Sequence, residues 1–128
     1  MRLLFDSHFL VGIANDVFTA SQSRMLESVS SAELRMVSVA SLWEIAIKCR
    51  LGKLTIDKSL AKFPETLEAY GFVILEIDRR HVMEELHNPP RTKDPFDRLL
   101  LAQCQVEGLR LVTADRALID HPLAWRAP

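Results

Sequence analysis

Short apolar runs alternate along the chain with longer segments whose apolar positions recur at helical spacing. The short runs predict four strands at residues 2–5, 35–39, 72–77 and 109–113, each dominated by Leu, Val, Ile or Phe, as in strands covered on both faces. Because such strands alternate with helices in βα units, the pattern predicts an α/β fold. We expect three layers, α/β/α, with a central, mainly parallel sheet of four or five short strands.

Two helices are predicted most clearly. One covers about residues 40–51, where apolar side chains recur at i, i+3, i+4 and i+7 and Gly52 provides a natural end. The other begins at Asp94 and Pro95, which suit the N-cap and the first helical position, and ends at Gly108. Weaker patterns predict helices over 21–29, 64–70 and 79–86.

The composition is that of one folded domain, which we expect to span 1–128, with 48% hydrophobic and 26% charged residues. Sixteen lysines and arginines stand against 17 acidic residues, so the net charge is −1. No overall basic field therefore attracts nucleic acid, and a polyanion would have to be held locally.

The two cysteines, Cys49 and Cys104, are far apart, which excludes a disulfide framework and a thiolate zinc site and suits a reducing compartment. Asp6 and His8 interrupt the apolar N-terminal run before it reaches signal-peptide length. No apolar stretch approaches the roughly 20 residues that cross a bilayer. We therefore expect a cytoplasmic protein without a membrane role.

Four acidic residues are predicted to meet at one edge of the sheet. Asp6 and Asp115 follow the first and last strands, Glu44 lies near the start of the helix after the second strand, and Asp97 lies in the first turn of a later helix. The carboxyl ends of parallel strands share an edge with the starts of the helices that follow them. Repulsion among these carboxylates would be reversed by a divalent cation that prefers oxygen ligands, so the pattern favours Mg²⁺ or Mn²⁺.

Each carboxylate also has a structural explanation. Asp115 suits a helix cap, Asp97 suits a first turn, and Ser41-x-x-Glu44 matches a capping box. Asp6 has no evident capping role unless a helix starts immediately after it. The acids are therefore more informative as a group than singly.

Other chemistries lack their motifs. The glycines are isolated, so there is no phosphate-binding loop or dinucleotide fingerprint, and the histidines lack zinc spacing. A receiver domain has a similar size and an acidic edge. It needs two adjacent acids after the first strand, whereas Asp6 is followed by Ser7.

Five segments occur in order along the chain: LLFDSH at 3–8, VSVASLWEIAIK at 37–48, LGKL at 51–54, DPFDRLLLAQ at 94–103 and LVTAD at 111–115. Together they resemble a PIN domain of the VapC toxin type, and the resemblance covers nearly the whole chain. It implies a metal-dependent endoribonuclease, the toxin of a toxin-antitoxin pair, usually dimeric and silenced by a small antitoxin.

The resemblance places the family's acidic quartet, which is both catalytic and metal-binding, on Asp6, Glu44, Asp97 and Asp115. Asp94 is an additional acid that we expect to serve as an N-cap rather than as a ligand. The family often has Thr where Ser7 stands and often a basic residue where Ala114 stands. The fourth acid is the most variable position in the family, so the resemblance supports Asp115 least among the four. Ser7 and Thr113 could add hydroxyls around the site.

Further residues are candidates for contacts with partners. Arg91, Lys93 and Arg98 flank the acids in sequence and could contact the RNA backbone or remain solvated. Complementary charge favours an antitoxin that places Arg or Lys in the acidic site. A homodimer could use an apolar face, or that face could pack internally: Leu26, Val29, Phe63, Leu67 and Tyr70. The alternative function is a receiver-like or PIN-fold protein that binds Mg²⁺ or RNA without cutting it.

Overall fold

A computed structural model describes residues 1–127 and gives the following order of elements. The strands and helices are β1 (Arg2–Phe5), α1 (Ser7–Asn15), α2 (Ala20–Ser28), β2 (Leu34–Ser38), α3 (Val39–Arg50), α4 (Phe63–Ala69), β3 (Val73–Leu75), α5 (Arg79–Met83), α6 (Pro95–Glu107) and β4 (Arg110–Val112). A short 3₁₀ turn, Leu60–Lys62, precedes α4.

The four strands form one parallel sheet in the order β3-β2-β1-β4. The central strand β1 pairs on both sides, with Leu4 opposite Met36 of β2 and opposite Leu111 of β4. Beyond β4, Ala124 forms an isolated parallel bridge with Leu111. The parallel α/β fold expected from the sequence is therefore confirmed.

Each face of the sheet is covered by its own apolar core, because successive side chains of β1 point to opposite sides. Leu3 and Phe5 pack with α1 and α4 in one core, whereas Leu4 packs in the other with Leu100 and Leu101 of α6. All five side chains are at most 2% exposed. The molecule thus has the three predicted layers, α/β/α.

Helix α1 was not predicted. Its residues 9–14 are almost continuously apolar and include Gly12, so the sequence shows no polar face and no clear helical period. The structure gives it an N-cap at Asp6 and an end at Asp16, whose φ of 54° is left-handed. Because a helix starts directly after Asp6, this residue does have a capping role.

Helix α5 is shorter than predicted and ends at Met83 instead of 86. Glu84 is extended. Backbone carbonyls beyond the helix accept hydrogen bonds from side chains of α6. The Gln105 amide donates to the carbonyl of Glu85 at 2.9 Å, and Arg98 donates to that of Glu84 at 3.4 Å. Tertiary hydrogen bonds thus replace the last helical turn.

The apolar face considered for dimerisation is mostly internal. Val29, Phe63 and Leu67 are buried in the core with α1, and Leu26 packs against that core. Only Tyr70 among these five is strongly exposed, at 57%. Within the part of the chain that is described, no helix is long and apolar enough to cross a membrane.

Candidate active site

Asp6 lies at the carboxyl end of the central strand and is 4% exposed. Its Oδ1 accepts hydrogen bonds from the backbone N–H groups of His8 at 3.1 Å and Phe9 at 3.4 Å, which caps α1. Its Oδ2 is buried and has no hydrogen-bond partner among residues 1–127. One oxygen therefore orients the carboxylate, and the other accepts no hydrogen bond from the described residues.

Glu44 lies in the second turn of α3 and is mostly buried. The expected capping box at Ser41 is wrong, because α3 begins three residues earlier than that motif requires, with Ser38 as its N-cap. The Ser38 hydroxyl accepts from the N–H of Ala40 at 3.0 Å. Glu44 instead pairs with Lys48 on the next turn, its Oε2 lying 3.1 Å from Nζ, as the i, i+4 spacing predicts.

Helix α6 carries two acids at its start. Asp94 is the N-cap, because its Oδ1 accepts from the N–H of Phe96 at 2.8 Å, which confirms the predicted role. Asp97 lies in the first turn, and its pKa is raised to about 6, first by burial and then by the negative charges of Asp94, Asp115 and Glu44. A helix N-terminus favours an anion. The raised pKa shows that repulsion and burial outweigh this effect.

Asp115 follows β4 and is fixed by local hydrogen bonds. The Thr113 hydroxyl accepts from the N–H of Asp115 at 3.0 Å, and Asp115 Oδ1 accepts from the N–H of Ala117 at 2.9 Å. Asp115 therefore caps a turn and not a helix as expected, because no helix follows β4 among the described residues. Its charge also raises the pKa of Asp97, so the residue faces the common edge.

His8 is exposed beside Asp6, with its Nδ1 3.7 Å from Asp6 Oδ2. The pKa of His8 is raised, chiefly by the Asp6 carboxylate and further by Asp115, while burial and Lys48 oppose the rise. An imidazolium is thus stabilised by two of the predicted site acids, which shows that they act on the same region.

The predicted quartet is brought to one edge without forming a ready-made metal cage. Among the residues that the structure describes, no three histidine, cysteine, aspartate or glutamate side chains are placed to hold one ion. Two observations nevertheless fit a cation. The buried Oδ2 of Asp6 accepts no hydrogen bond within residues 1–127, and the pKa of Asp97 is raised by burial and by the neighbouring carboxylates. The site has oxygen ligands of the kind that Mg²⁺ and Mn²⁺ prefer and an excess of negative charge.

The basic residues expected near the site do not all lie in the same place. Arg91 and Lys93 are exposed on the segment before α6. Arg98 turns towards α5, where it donates to Glu84, so it does not join the acidic edge by this contact. Sequence reasoning missed Lys53, which lines a cavity with Ser7 and Glu44; only its place after the turn at Gly52 could have pointed to it.

The comparisons with known proteins agree with this architecture. The family model described as the PIN domain matches residues 3–122. A chain of the solved structure described as a toxin-antitoxin complex from Klebsiella pneumoniae is similar in fold, with a TM-score of 0.62 and 19% sequence identity over 99% of this chain and 98% of that chain. No curated protein matches the sequence significantly. Because the family model spans nearly the whole chain, this protein belongs to the PIN domain family.

Proposed function

We propose that this protein is a metal-dependent endoribonuclease of the VapC type and the toxin of a toxin-antitoxin module. PIN domains are generally nucleases, and membership of this family sets aside the receiver alternative. The observation that carries the proposal is the clustering of acids around Asp97, whose pKa is raised first by burial and then by the charges of Asp94, Asp115 and Glu44. Such a site is suited to a divalent cation and, through it, to a phosphodiester.

Asp6, Glu44 and Asp97 would hold one or two Mg²⁺ or Mn²⁺ ions, directly or through water, and Asp115 would complete or tune the set. When bound, these ions polarise a phosphodiester and make water a stronger nucleophile, which yields a 5′-phosphate and a 3′-hydroxyl. The cation also replaces the repulsion among the carboxylates by attraction.

The chain itself positions these groups. The N–H groups at the start of α1 fix Asp6, and the Thr113 hydroxyl fixes the backbone of Asp115. Lys48 holds Glu44 at 3.1 Å and lies partly exposed. Preorganised carboxylates lower the cost of binding the ion and orienting the substrate.

Purified protein is expected to cut RNA in Mn²⁺ or Mg²⁺ and to stop when EDTA removes the ion, since no other group in the proposed mechanism activates water. The measurement is gel analysis of end-labelled structured and unstructured RNAs, with 5′-phosphate ends on the products. Asp57→Asn is the control for any acid-to-amide change in the site and should cut as the parent does, because Asp57 is an exposed carboxylate near Asn15 at the far end of α1. Cleavage that persists in EDTA, or RNA that is bound and never cut, contradicts the proposal.

An antitoxin is the partner that this site favours. The structural neighbour is described as a toxin-antitoxin complex, and here the acidic edge offers a cationic side chain the same carboxylates as a metal ion. An Arg or Lys of the antitoxin would therefore compete with the cation by complementary charge.

We also propose a homodimer, formed through a different surface from the one expected. Trp43 of α3 is 59% exposed and stacks edge-on against Phe96 of α6, with ring centroids 5.6 Å apart. On α5, Val82 and Met83 are 58% and 77% exposed. A cavity between α5 and the start of α6 is lined by Val82, Pro95 and Leu99, and the proposed interface comprises these side chains together with Met83, Trp43 and Phe96.

The double variant Trp43→Ser, Met83→Ser is expected to be monomeric at concentrations where the parent is dimeric, because it removes the largest apolar side chains of the proposed interface. Light scattering coupled to gel filtration measures the mass. Tyr70→Ser is the control, since Tyr70 is the exposed member of the face first considered. If Tyr70→Ser is monomeric and the double variant is still dimeric, the interface lies on the face first considered.

A further inference from the structure

A small cavity lies at the amino-terminal edge of the sheet, the edge opposite to the candidate active site. Arg35, the second residue of β2, and Phe72, just before β3, both line it, whereas the site acids follow the carboxyl ends of the strands or begin helices there. Its volume is about 210 Å³. An apolar cavity of about 150 Å³ admits a benzene molecule. The space is therefore suited to a ligand with a body of one ring.

Three aromatic side chains form much of the wall of this cavity: Phe18, Tyr70 and Phe72. Phe72 is 6% exposed and packs edge-on against Phe5 of the central strand, with ring centroids 5.1 Å apart. Phe18 is partly buried, and its ring lies so close to Gly12 that a β-carbon there would clash with it. Tyr70 is exposed. The inner wall is therefore apolar and fixed by packing, and such walls with a few polar groups are typical of small-molecule sites.

Arg35 brings a positive charge to this apolar wall. It lies on the same face of β2 as Val37, which packs in the core with α1 and α4, because side chains two residues apart along a strand point the same way. Its guanidinium carbon lies 5.5 Å from the centroid of the Phe72 ring, and Nη2 donates to the carbonyl of Tyr70 at 3.5 Å. Nη2 also lies against Gly71, where an added β-carbon would be 2.7 Å from it. The guanidinium is thus held in one orientation by the fold.

The charge of Arg35 is not neutralised by the described residues. Within residues 1–127, no carboxylate oxygen lies within 4.0 Å of its guanidinium nitrogens, and its side chain donates only the long hydrogen bond to Tyr70. Asp16 lines the same cavity but is exposed and does not pair with Arg35. A guanidinium has five N–H donors, and a charge among apolar groups is costly unless an anion accepts from it. The cavity therefore combines an apolar body with a cation that lacks an anion.

We propose that this cavity binds a small aromatic monocarboxylate. The ring lies among Phe18, Tyr70 and Phe72, and the two carboxylate oxygens accept hydrogen bonds from Arg35. The planar fork of a guanidinium matches the two oxygens of a carboxylate, and aromatic walls favour a flat ring. Asp16 favours a ligand with a single negative charge over a doubly charged phosphate, because a second charge would add repulsion. The inference concerns a second site and does not depend on the proposed nuclease activity.

Binding is measured by two-dimensional ¹H–¹⁵N NMR titration of the full chain with assigned amide signals. The probes are benzoate, benzamide, which has the same shape without the charge, and acetate, which has the charge without the ring. We expect benzoate to shift the amide signals of residues 16–18 and 70–72 saturably. Benzamide and acetate should each bind at least about ten-fold more weakly, since each lacks one of the two interactions.

Arg35→Gln is expected to weaken benzoate binding at least about ten-fold, because glutamine keeps a polar amide and lacks the charge and the fork. Arg24→Gln is the matched control and should bind benzoate as the parent does, because Arg24 is an exposed arginine of α2 that does not line the cavity. Leu26→Trp should also abolish binding, because Leu26 lines the cavity and the larger ring fills it while Arg35 stays in place. Circular dichroism melts identify which variants are folded, and the comparison of the three probes on the parent needs no variant.

Three results would each overturn the inference: a parent that does not bind benzoate, equal binding of benzamide or acetate, and an Arg35 variant that binds benzoate as tightly as the Arg24 variant. Shifts that spread over exposed lysines and arginines instead of residues 16–18 and 70–72 would overturn it as well. RNA cleavage is assayed separately, so failure of this inference leaves the proposed function standing, and the reverse also holds.

Discussion

Replacing Asp97 by asparagine is expected to abolish RNA cleavage and, in the absence of metal, to raise the melting temperature. The pKa of Asp97 is raised to about 6 from an ordinary value of 3.8. At neutral pH, folding therefore destabilises the charged form of this carboxyl. The full shift corresponds to about 3 kcal/mol, and solvent screening of a partly exposed group reduces it to about 1 kcal/mol. In a chain of this size that is about 4 °C in Tm. Asparagine removes the charge while keeping the shape.

The pH dependence of the melting temperature tests the direction of the stability change predicted for Asp97→Asn. A carboxyl whose pKa is higher in the folded state destabilises the fold fully above that pKa, and the penalty is relieved as the pH falls from about 6 towards 3.8. The Tm advantage of Asp97→Asn over the parent should therefore be greatest above pH 7 and vanish near pH 4. Saturating Mn²⁺ should raise the Tm of the parent and not that of the variant. A variant that melts below the parent at pH 7.5 without metal would show that Asp97 is not repelled by its neighbours.

Asp6→Asn and Asp6→Ala are expected to be equally inactive and unequally stable. Both remove the negative charge at the buried Oδ2, which should cost cleavage at least about 10²–10³-fold. Asparagine can still cap α1 through Oδ1, whereas alanine leaves the N–H groups of His8 and Phe9 unpaired. The loss of a cap costs about 1 kcal/mol. Circular dichroism melts and the end-labelled cleavage assay give the two quantities on the same samples.

The N-cap of α6 provides the control for the Asp6 pair. Asp94→Ala also removes a cap, since Asp94 Oδ1 accepts from the N–H of Phe96. It also removes a charge that repels Asp97, so the Tm should fall by less than in Asp6→Ala. It should retain cleavage, because Asp94 is expected to cap rather than to bind metal. If Asp6→Asn remains active, the division of labour between the two oxygens of Asp6 is wrong.

Features encoded by neighbouring residues were predictable from the sequence. Helix α6 was predicted closely because Asp94, Pro95 and Gly108 mark both of its ends locally. The convergence of the acids at one edge follows from parallel strands alone, which fixes where Asp6 and Asp115 must lie. Helix α1 escaped prediction because its apolar residues face core on nearly all sides, so its period is hidden.

Features that depend on tertiary contacts were not predictable. Helix α3 starts at Val39 because Ser38 is its N-cap. The sequence alone also offers Ser41 as an N-cap and does not decide between the two serines. The raised pKa of Asp97 depends on its burial and on the distances among four acids, two at the start of α6, one on α3 and one after β4. Lys53 lines the same cavity as Lys48, and only the folded structure shows this and shows that Lys48 pairs with Glu44.

The position of Asp6 determines how the protein can be held inactive. Its backbone N–H donates to the carbonyl of Val112 at 3.2 Å, and the strand before it is paired on both sides, so Asp6 is tied to the most protected part of the fold. A local opening that displaced Asp6 would also break the centre of the sheet and would cost nearly the whole free energy of unfolding. Thermal fluctuation at Asp6 would therefore not switch the proposed nuclease off while the fold survives. The proposed antitoxin would act by occupying the site, so the ratio of antitoxin to protein, rather than the flexibility of the protein, would set how much of it is active.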